Sequence, residues 1–317
     1  MRKITLLQVF LFSFFLSQSQ ITREIFSFEF EGLTLQGVLN MPEQSTPKGI
    51  VLLVHGSGQT NAVAQEWHYD VRATLVKSGY ATFMWDKIGC GQSEGSFDYN
   101  QPVQNSAEEV LAAINSLKSK QIPGSDHIAF WGISRAGWII PLVLQTFKEA
   151  GFWISVSGVD EKENFKYLLE ENLRIDGLSE DKIELIIGEW VRANQITHSG
   201  HSFERWQAAT QNLEQNPFIL RFRGGSEVTE AGYYAYQKSF MKEELEYETG
   251  LQVYIKDFES ILSEVYCPVL ALFGEKDKNV DWRKTKALYE RTLGRQVDLT
   301  IQTFPDANHN LFQCKTG

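Results

Sequence analysis

The stretch Trp131-Gly132-Ile133-Ser134-Arg135-Ala136-Gly137 constrains this chain more than any other. Before it, Ile128 to Trp131 is a short apolar run suited to a buried strand. After it, Trp138 to Leu144 is an apolar segment suited to a helix. Strand, tight turn and helix with serine at the apex describe a nucleophile elbow, in which strained backbone angles push the hydroxyl out of the sheet. Side chains two positions either side of the serine would clash in such a turn, which fits Gly132 and Ala136. The pattern is therefore G-x-S-x-A-G, one methyl group away from the usual glycine. The first N–H groups of the following helix would face the serine, where they favour negative charge.

The serine must then be placed in a fold. Period-two alternation over Glu24–Glu31 and again over Leu33–Leu39 predicts a hairpin turning at Glu31-Gly32. Gly49–Val54 is continuously apolar, as in a strand covered on both faces. Trp67, Val71 and Leu75 recur at helical spacing, with Gly79 as the stop, and Tyr80–Trp85 is the next strand. Ser106-x-x-Glu109 reads as a capping box ahead of an amphipathic helix. The elbow strand and helix follow, then a strand over Phe152–Val156. This β-α-β-α order predicts an α/β fold with a mostly parallel, doubly wound sheet. From residue 160 to 255 the pattern turns helical, with no strong strand. Strands return at Val269–Phe273 and Val297–Phe304, around a helix over Trp282–Leu293. The expected organisation is a core over residues 20–159 and 256–317, with a helical cap inserted over 160–255. Such a cap would lie over the sheet edge where open α/β sheets bind ligands.

The first 19 residues differ from the rest. Arg2 and Lys3 precede an apolar stretch from Ile4 to Leu16, and Ser17 and Ser19 supply small residues before a cleavage point. That arrangement predicts a secretory signal peptide over residues 1–19, hence a secreted or periplasmic protein. The apolar run is short for a bilayer span, so stable membrane insertion is not expected. Cleavage would take the formal charge from −10 to −12, which argues against nucleic acid as a partner. Cys90, Cys267 and Cys314 show no C-x-x-C spacing and suggest neither a disulfide framework nor a zinc site. His198 and His201 lack an obvious third ligand, so no metal is expected there either.

A serine hydroxyl needs a base, and the base needs an orienting acid. On a sheet of this order these follow as Ser…Asp/Glu…His, each after a strand. Gly274-Glu275-Lys276-Asp277 follows one strand, and Phe304-Pro305-Asp306-Ala307-Asn308-His309 follows the last. Asp277 is the candidate acid and His309 the candidate base, with Asp160 the competing acid. The N–H of Arg135 is one candidate oxyanion donor. The loop His55-Gly56-Ser57-Gly58 offers the other, at Ser57, with glycines on both sides to allow close approach. Asp86-x-x-Gly89-x-Gly91-x-Ser93 lacks a phosphate-binding pattern and reads as loop shaping near the site.

Together these segments resemble the α/β-hydrolase superfamily, specifically capped esterases and serine aminopeptidase-like hydrolases. The marks are His55-Gly56-Ser57-Gly58, Asp86-Lys87-x-Gly89-x-Gly91-x-Ser93, the Ser134 elbow, Gly274-x-x-Asp277 and Asn308-His309. The resemblance implies hydrolysis of a carboxylic ester or related acyl group through a serine acyl-enzyme. The partner would be a small-molecule ester or acyl substrate, and no cofactor is implied. Peptide or amide hydrolysis by the same groups is the nearest alternative, and a binding protein on a hydrolase fold is another. Only eight residues follow His309, whereas that family usually continues into a helix. Either the sequence stops within a longer protein or that helix is absent, and His309 would then be less firmly held.

Overall fold

The computed structural model describes residues 21–160, 162 and 164–317, so the proposed leader lies outside the described residues. Eight strands form one sheet: β1 (Ile21–Phe30), β2 (Leu33–Pro42), β3 (Ile50–Val54), β4 (Ala81–Trp85), β5 (Ile128–Ile133), β6 (Trp153–Val156), β9 (Val269–Gly274) and β10 (Leu299–Phe304). The remaining two strands, β7 (Glu244–Glu246) and β8 (Leu251–Val253), pair as a separate hairpin. The large sheet has the order β1-β2-β4-β3-β5-β6-β9-β10. It is antiparallel from β1 to β4 and parallel from there on. The hairpin turns where both Glu31 and Gly32 have positive φ, the two-residue turn whose twist suits the flanking strands.

Every residue of β3, β4 and β5 is buried. The reason is the two apolar layers on either side of the sheet. Ile50, Leu52 and Val54 face a layer completed by α3 (Val103–Ser119), α4 (Ala136–Thr146), α11 (Phe258–Leu262) and α12 (Trp282–Thr292). Val51 and Leu53 face the other way, toward the side covered by α1 (Ala62–Gln65) and α2 (Tyr69–Lys77). Continuous apolar runs are thus what a strand covered on both faces requires.

Between β6 and β9 lie α5 (Phe165–Ile175), α6 (Glu180–His198), α7 (Phe203–Ala209), α8 (Gln211–Glu214), α9 (Pro217–Phe222), α10 (Glu230–Phe240) and the β7–β8 hairpin. These helices bury an apolar cluster of their own, centred on Leu169, Ile183, Trp190, Trp206 and Ile219. The hairpin departs from the all-helical expectation for this segment. Its strands are three residues each, too short to leave a period in the sequence.

Two local expectations also change. Helix α3 begins at Val103 after Pro102, so Ser106 and Glu109 lie inside it rather than at its cap. Ser106 Oγ donates to the Pro102 carbonyl, and Glu109 accepts the Trp85 indole N–H at 2.6 Å. Both side chains are spent on other contacts. Trp67 falls outside α2, because His68 adopts a left-handed φ and the helix starts at Tyr69.

Candidate active site

The order of strands reverses direction about β3, with β4 on one side and β5 on the other. Loops leaving β3 and β5 therefore meet at the switch point, where open α/β sheets leave a crevice. Ser134 closes β5 with φ +56°, a conformation costly for a residue with a side chain and held here by the surrounding structure. Its N–H donates to the Val156 carbonyl at 2.9 Å, and its own carbonyl accepts from Gly137 at 2.7 Å. The small flanking residues have direct causes. A Cβ on Gly132 would lie 2.4 Å from Ile140 and 2.8 Å from the Ala136 methyl, so that methyl fits only because Gly132 has none.

His309 lies on the loop after β10, and Asp277 on the loop after β9. The His309 Nδ1–H donates to Asp277 Oδ2 at 2.8 Å. The other carboxylate oxygen accepts the N–H groups of Asn279 and Val280 at 2.8 and 3.0 Å, which fixes a fully buried carboxylate in orientation. With Nδ1 committed as a donor, Nε2 is left to accept a proton. Among the described residues the Ser134 hydroxyl makes no hydrogen bond to this ring, as is common before substrate arrives. Asp160 instead directs Oδ1 to the Lys162 N–H, and Trp138 donates to its carbonyl.

The loop carrying His309 is held by polar contacts. Ser157 Oγ donates to the His309 carbonyl at 2.7 Å. Asn308 Oδ1 accepts from the N–H groups of Asn310 and Phe312, and Lys276 bridges the Asp306 carboxylate and the Cys314 carbonyl. An isolated β-bridge joins Ala307 to Gln313. The backbone of His309 is thus pinned from the residue after β6 and from within its own loop.

Gly56 packs beside the serine, since a Cβ there would lie 3.3 Å from Ser134 Cβ. Ser57, Arg135, Ser134 and His309 all line one cavity of about 1180 Å3. Arg135 is the N-cap of α4, and its guanidinium donates to Ser106 Oγ and to the Gln101 carbonyl. Burial pulls its pKa below the ordinary arginine value. The Asp86 loop shapes the same floor. Buried Asp86 accepts the Ala62 N–H at 2.5 Å and the Gln92 N–H at 2.9 Å, and any Cβ at Gly91 would strike its carboxylate at 2.0 Å.

Sequence reasoning missed Ser157 and Tyr167, and gave Lys87 no role beyond its place in the Asp86 motif. The Tyr167 hydroxyl, from α5, donates to the Asp277 carbonyl at 3.0 Å. Lys87 donates to two carbonyls of the Ser57 loop. Its signal was the motif Asp86-Lys87-x-Gly89-x-Gly91-x-Ser93 at the end of an apolar strand. The far wall of the cavity comes from the inserted helices and is aromatic, with Phe165, Trp190, Phe222, Tyr233 and Tyr236 among its residues. Among the described residues no group of three His, Cys, Asp or Glu side chains is placed to hold a metal. His198 Nε2 lies 3.0 Å from the Glu243 carbonyl, and the His201 ring faces the Arg205 guanidinium.

A family model described as "Serine aminopeptidase, S33" matches residues 45–314. Comparison with curated protein sequences gives no match. Among solved structures, the esterase Pf2001 of Pyrococcus furiosus aligns with TM-score 0.56 at 15% identity, covering 91% of this chain and 82% of that one. Est1E of Butyrivibrio proteoclasticus with bound ferulic acid aligns with TM-score 0.53 at 18% identity, covering 90% of this chain and 91% of that one. The Pyrococcus horikoshii acylaminoacyl peptidase gives TM-score 0.51 at 13% identity over 92% of this chain and 38% of its own. At these identities the structural likenesses establish the α/β-hydrolase fold.

Proposed function

Because this chain belongs to the serine aminopeptidase (S33) family of hydrolases, we propose that it is a serine hydrolase that cleaves carboxylic esters. The observation that carries the reading is the His309–Asp277 hydrogen bond of 2.8 Å, made at the cavity that Ser134 enters from a strained elbow. In this reading Ser134 Oγ attacks the ester carbonyl carbon as His309 Nε2 takes its proton. The oxygen that becomes negative accepts the N–H groups of Ser57 and Arg135. Collapse expels the alcohol, protonated by His309, and leaves an acyl-Ser134 ester. Water, deprotonated by the same nitrogen, then releases the acid. Asp277 keeps the ring in the tautomer that both half-reactions need.

Amide cleavage by an aminopeptidase is the second reading, favoured by the family description. It needs an anion to hold the substrate's terminal ammonium. Among the described residues the carboxylates lining the cavity are Asp98 and Glu243, both exposed, whereas the half-buried charge beside Ser134 is the Arg135 cation. An ammonium would be repelled there, so esters are preferred. Cavities for drug-sized ligands run about 300–1000 Å3. This one exceeds that range and is walled by rings, which suits a bulky or aromatic ester. The solved relative that holds ferulic acid makes hydroxycinnamoyl esters a sensible member of a first panel.

The test is fluorophosphonate labelling of the protein with mass spectrometry of the adduct, followed by rates on aryl esters and aminoacyl anilides. An adduct on Ser134 with ester turnover is the expected result. A folded protein that does not label would remove the reading, and anilide turnover exceeding ester turnover would replace it with the aminopeptidase. We also propose that residues 1–19 direct export, on the strength of the basic start and apolar stretch from Ile4 to Leu16. A mature N-terminus at Gln20 in exported material is expected. Material retained with Met1 intact would remove that proposal.

A further inference from the structure

Lys87 is an expensive residue to bury. It follows β4 and is 7% exposed, and among the described residues it forms no ion pair with a carboxylate. Withdrawing an ammonium from water without a counter-ion costs several kcal/mol. Its Nζ instead donates to the carbonyl of Gly56 at 2.6 Å and to the carbonyl of Gly58 at 2.7 Å. Its own backbone N–H donates to Thr60 Oγ1 at 2.8 Å, which fixes the root of the side chain to the same loop. The first of these carbonyls belongs to the Gly56–Ser57 peptide, and the second to the Gly58–Gln59 peptide further along the same loop.

The Gly56–Ser57 peptide is the informative one, because it contains the Ser57 N–H. The carbonyl oxygen of Gly56 and the N–H of Ser57 belong to one planar unit, and no peptide bond among the described residues is cis. In a trans peptide the C=O and N–H point in opposite directions. A cation drawing the Gly56 oxygen toward itself therefore turns the Ser57 N–H away from β4, and Gly56 itself packs against Ser134. The same contact polarises the amide. A positive charge on the carbonyl side withdraws electrons from nitrogen and makes the N–H a stronger donor, as in any chain of coupled hydrogen bonds. A neutral hydroxyl or amide could tether the loop at lower desolvation cost, so the charge itself calls for a role.

We propose that Lys87 is a positioning residue of the oxyanion hole, aiming and polarising the Ser57 N–H from behind through the Gly56 carbonyl. The assignment rests on the acyl-transfer reading above. It differs from a structural tether in one respect: it acts only on states that carry negative oxygen.

The experiment uses the full protein and the variants Lys87→Met and Lys87→Arg, each checked for folding by circular dichroism. Three quantities are read: kcat and KM on p-nitrophenyl butyrate, inhibition by 2,2,2-trifluoroacetophenone, and inhibition by 1-butanol. The ketone binds as a tetrahedral adduct with an oxyanion, whereas the neutral alcohol tests the ground-state pocket. For Lys87→Met, kcat should fall about 100-fold, the scale of losing one oxyanion donor, with KM within about threefold. Ketone affinity should fall in parallel with kcat/KM while 1-butanol affinity holds. Lys87→Arg keeps the charge and should lose less. A folded Lys87→Met with wild-type kcat would overturn the assignment, and so would equal weakening of ketone and 1-butanol. Failure of both variants to fold would also overturn it, making Lys87 a residue of the fold alone. A wild-type protein that fails to label at Ser134 would instead remove the hydrolase reading on which the assignment depends.

Discussion

The two walls of the cavity are built on different principles. On the sheet side the loops around the candidate site are held by hydrogen bonds between buried side chains and backbone: Asp86 with Ala62 and Gln92, Lys87 with Gly56 and Gly58, Ser157 with His309, Asp277 with Asn279 and Val280. Directional bonds to main chain fix positions, and the glycines of that wall sit where a methyl would strike a neighbour, as at Gly91 and Gly132. On the inserted side short helices present rings that touch one another. Phe165 meets Phe222 with centroids 5.1 Å apart, and Phe222 meets Phe218 at 5.9 Å. Ring packing is non-directional and tolerates rearrangement. Substitutions on the sheet wall should therefore change rate, and substitutions on the aromatic wall should change which ester is accepted.

The largest effect tests the sheet wall directly. Ser134→Ala should lower kcat by about 10⁴-fold or more, the loss typical of removing a catalytic serine. Because Ser134 makes no side-chain hydrogen bond among the described residues, the melting temperature should stay near that of the parent. Ester hydrolysis at the parental rate would remove Ser134 from the chemistry. Asp277→Asn comes next. An amide oxygen can still accept from Asn279 and Val280, but its NH2 group cannot accept the His309 Nδ1–H. Loss of the correct tautomer should cost about 10³–10⁴ in kcat, with little change in KM. A loss below tenfold would mean that His309 is oriented by other contacts.

On the opposite wall, Phe222→Ala removes a half-exposed ring that lines the cavity. We expect KM for a hydroxycinnamoyl ester to rise about tenfold, on the scale of one aromatic contact, with kcat on an acetyl ester unchanged. A fall in kcat on both esters would show that the two walls are coupled. Tyr167, which reaches from α5 to the Asp277 carbonyl, is the place where such coupling would pass.

The same contrast explains what could be read from the sequence. Strands β3, β4 and β5 were legible because a strand covered on both faces must be apolar throughout. The elbow was legible because its steric demand leaves small residues at fixed offsets. Lys87 was not, since its value arises only where the end of β4 packs beside the loop leaving β3, and a lysine after an apolar strand otherwise reads as surface. Ser106 and Glu109 misled for a related reason: their spacing is that of a capping box, but Glu109 is claimed by Trp85, a contact 24 residues away in sequence. The Ser157 contact that holds the His309 loop was not legible because the two residues lie 152 positions apart. Local pattern reports local geometry, and long-range polar contacts leave no period.

The smallest effect concerns stability, and it separates the walls by pH. His55 opens the Ser57 loop, is buried, and lies edge-on to Trp85 with ring centroids 4.8 Å apart. Burial first, and the Lys87 charge next, hold its pKa well below the ordinary imidazole value. In the folded protein the ring therefore stays neutral under mildly acidic conditions, while in the unfolded chain it takes up a proton as pH falls through about 6.5. The unfolded state then binds more protons, so stability drops as pH decreases below that point. This group contributes at most about 1.4 kcal/mol per pH unit to the slope. His55→Phe keeps a ring against Trp85 and removes the titration. The difference in unfolding free energy between parent and variant should be constant from pH 7 to 8 and shift in favour of the variant from pH 6.5 to 5. Phe222→Ala should show no such divergence, because no titrating group is lost there. Parallel acid profiles for the parent and His55→Phe would mean that the sheet wall admits water to this ring.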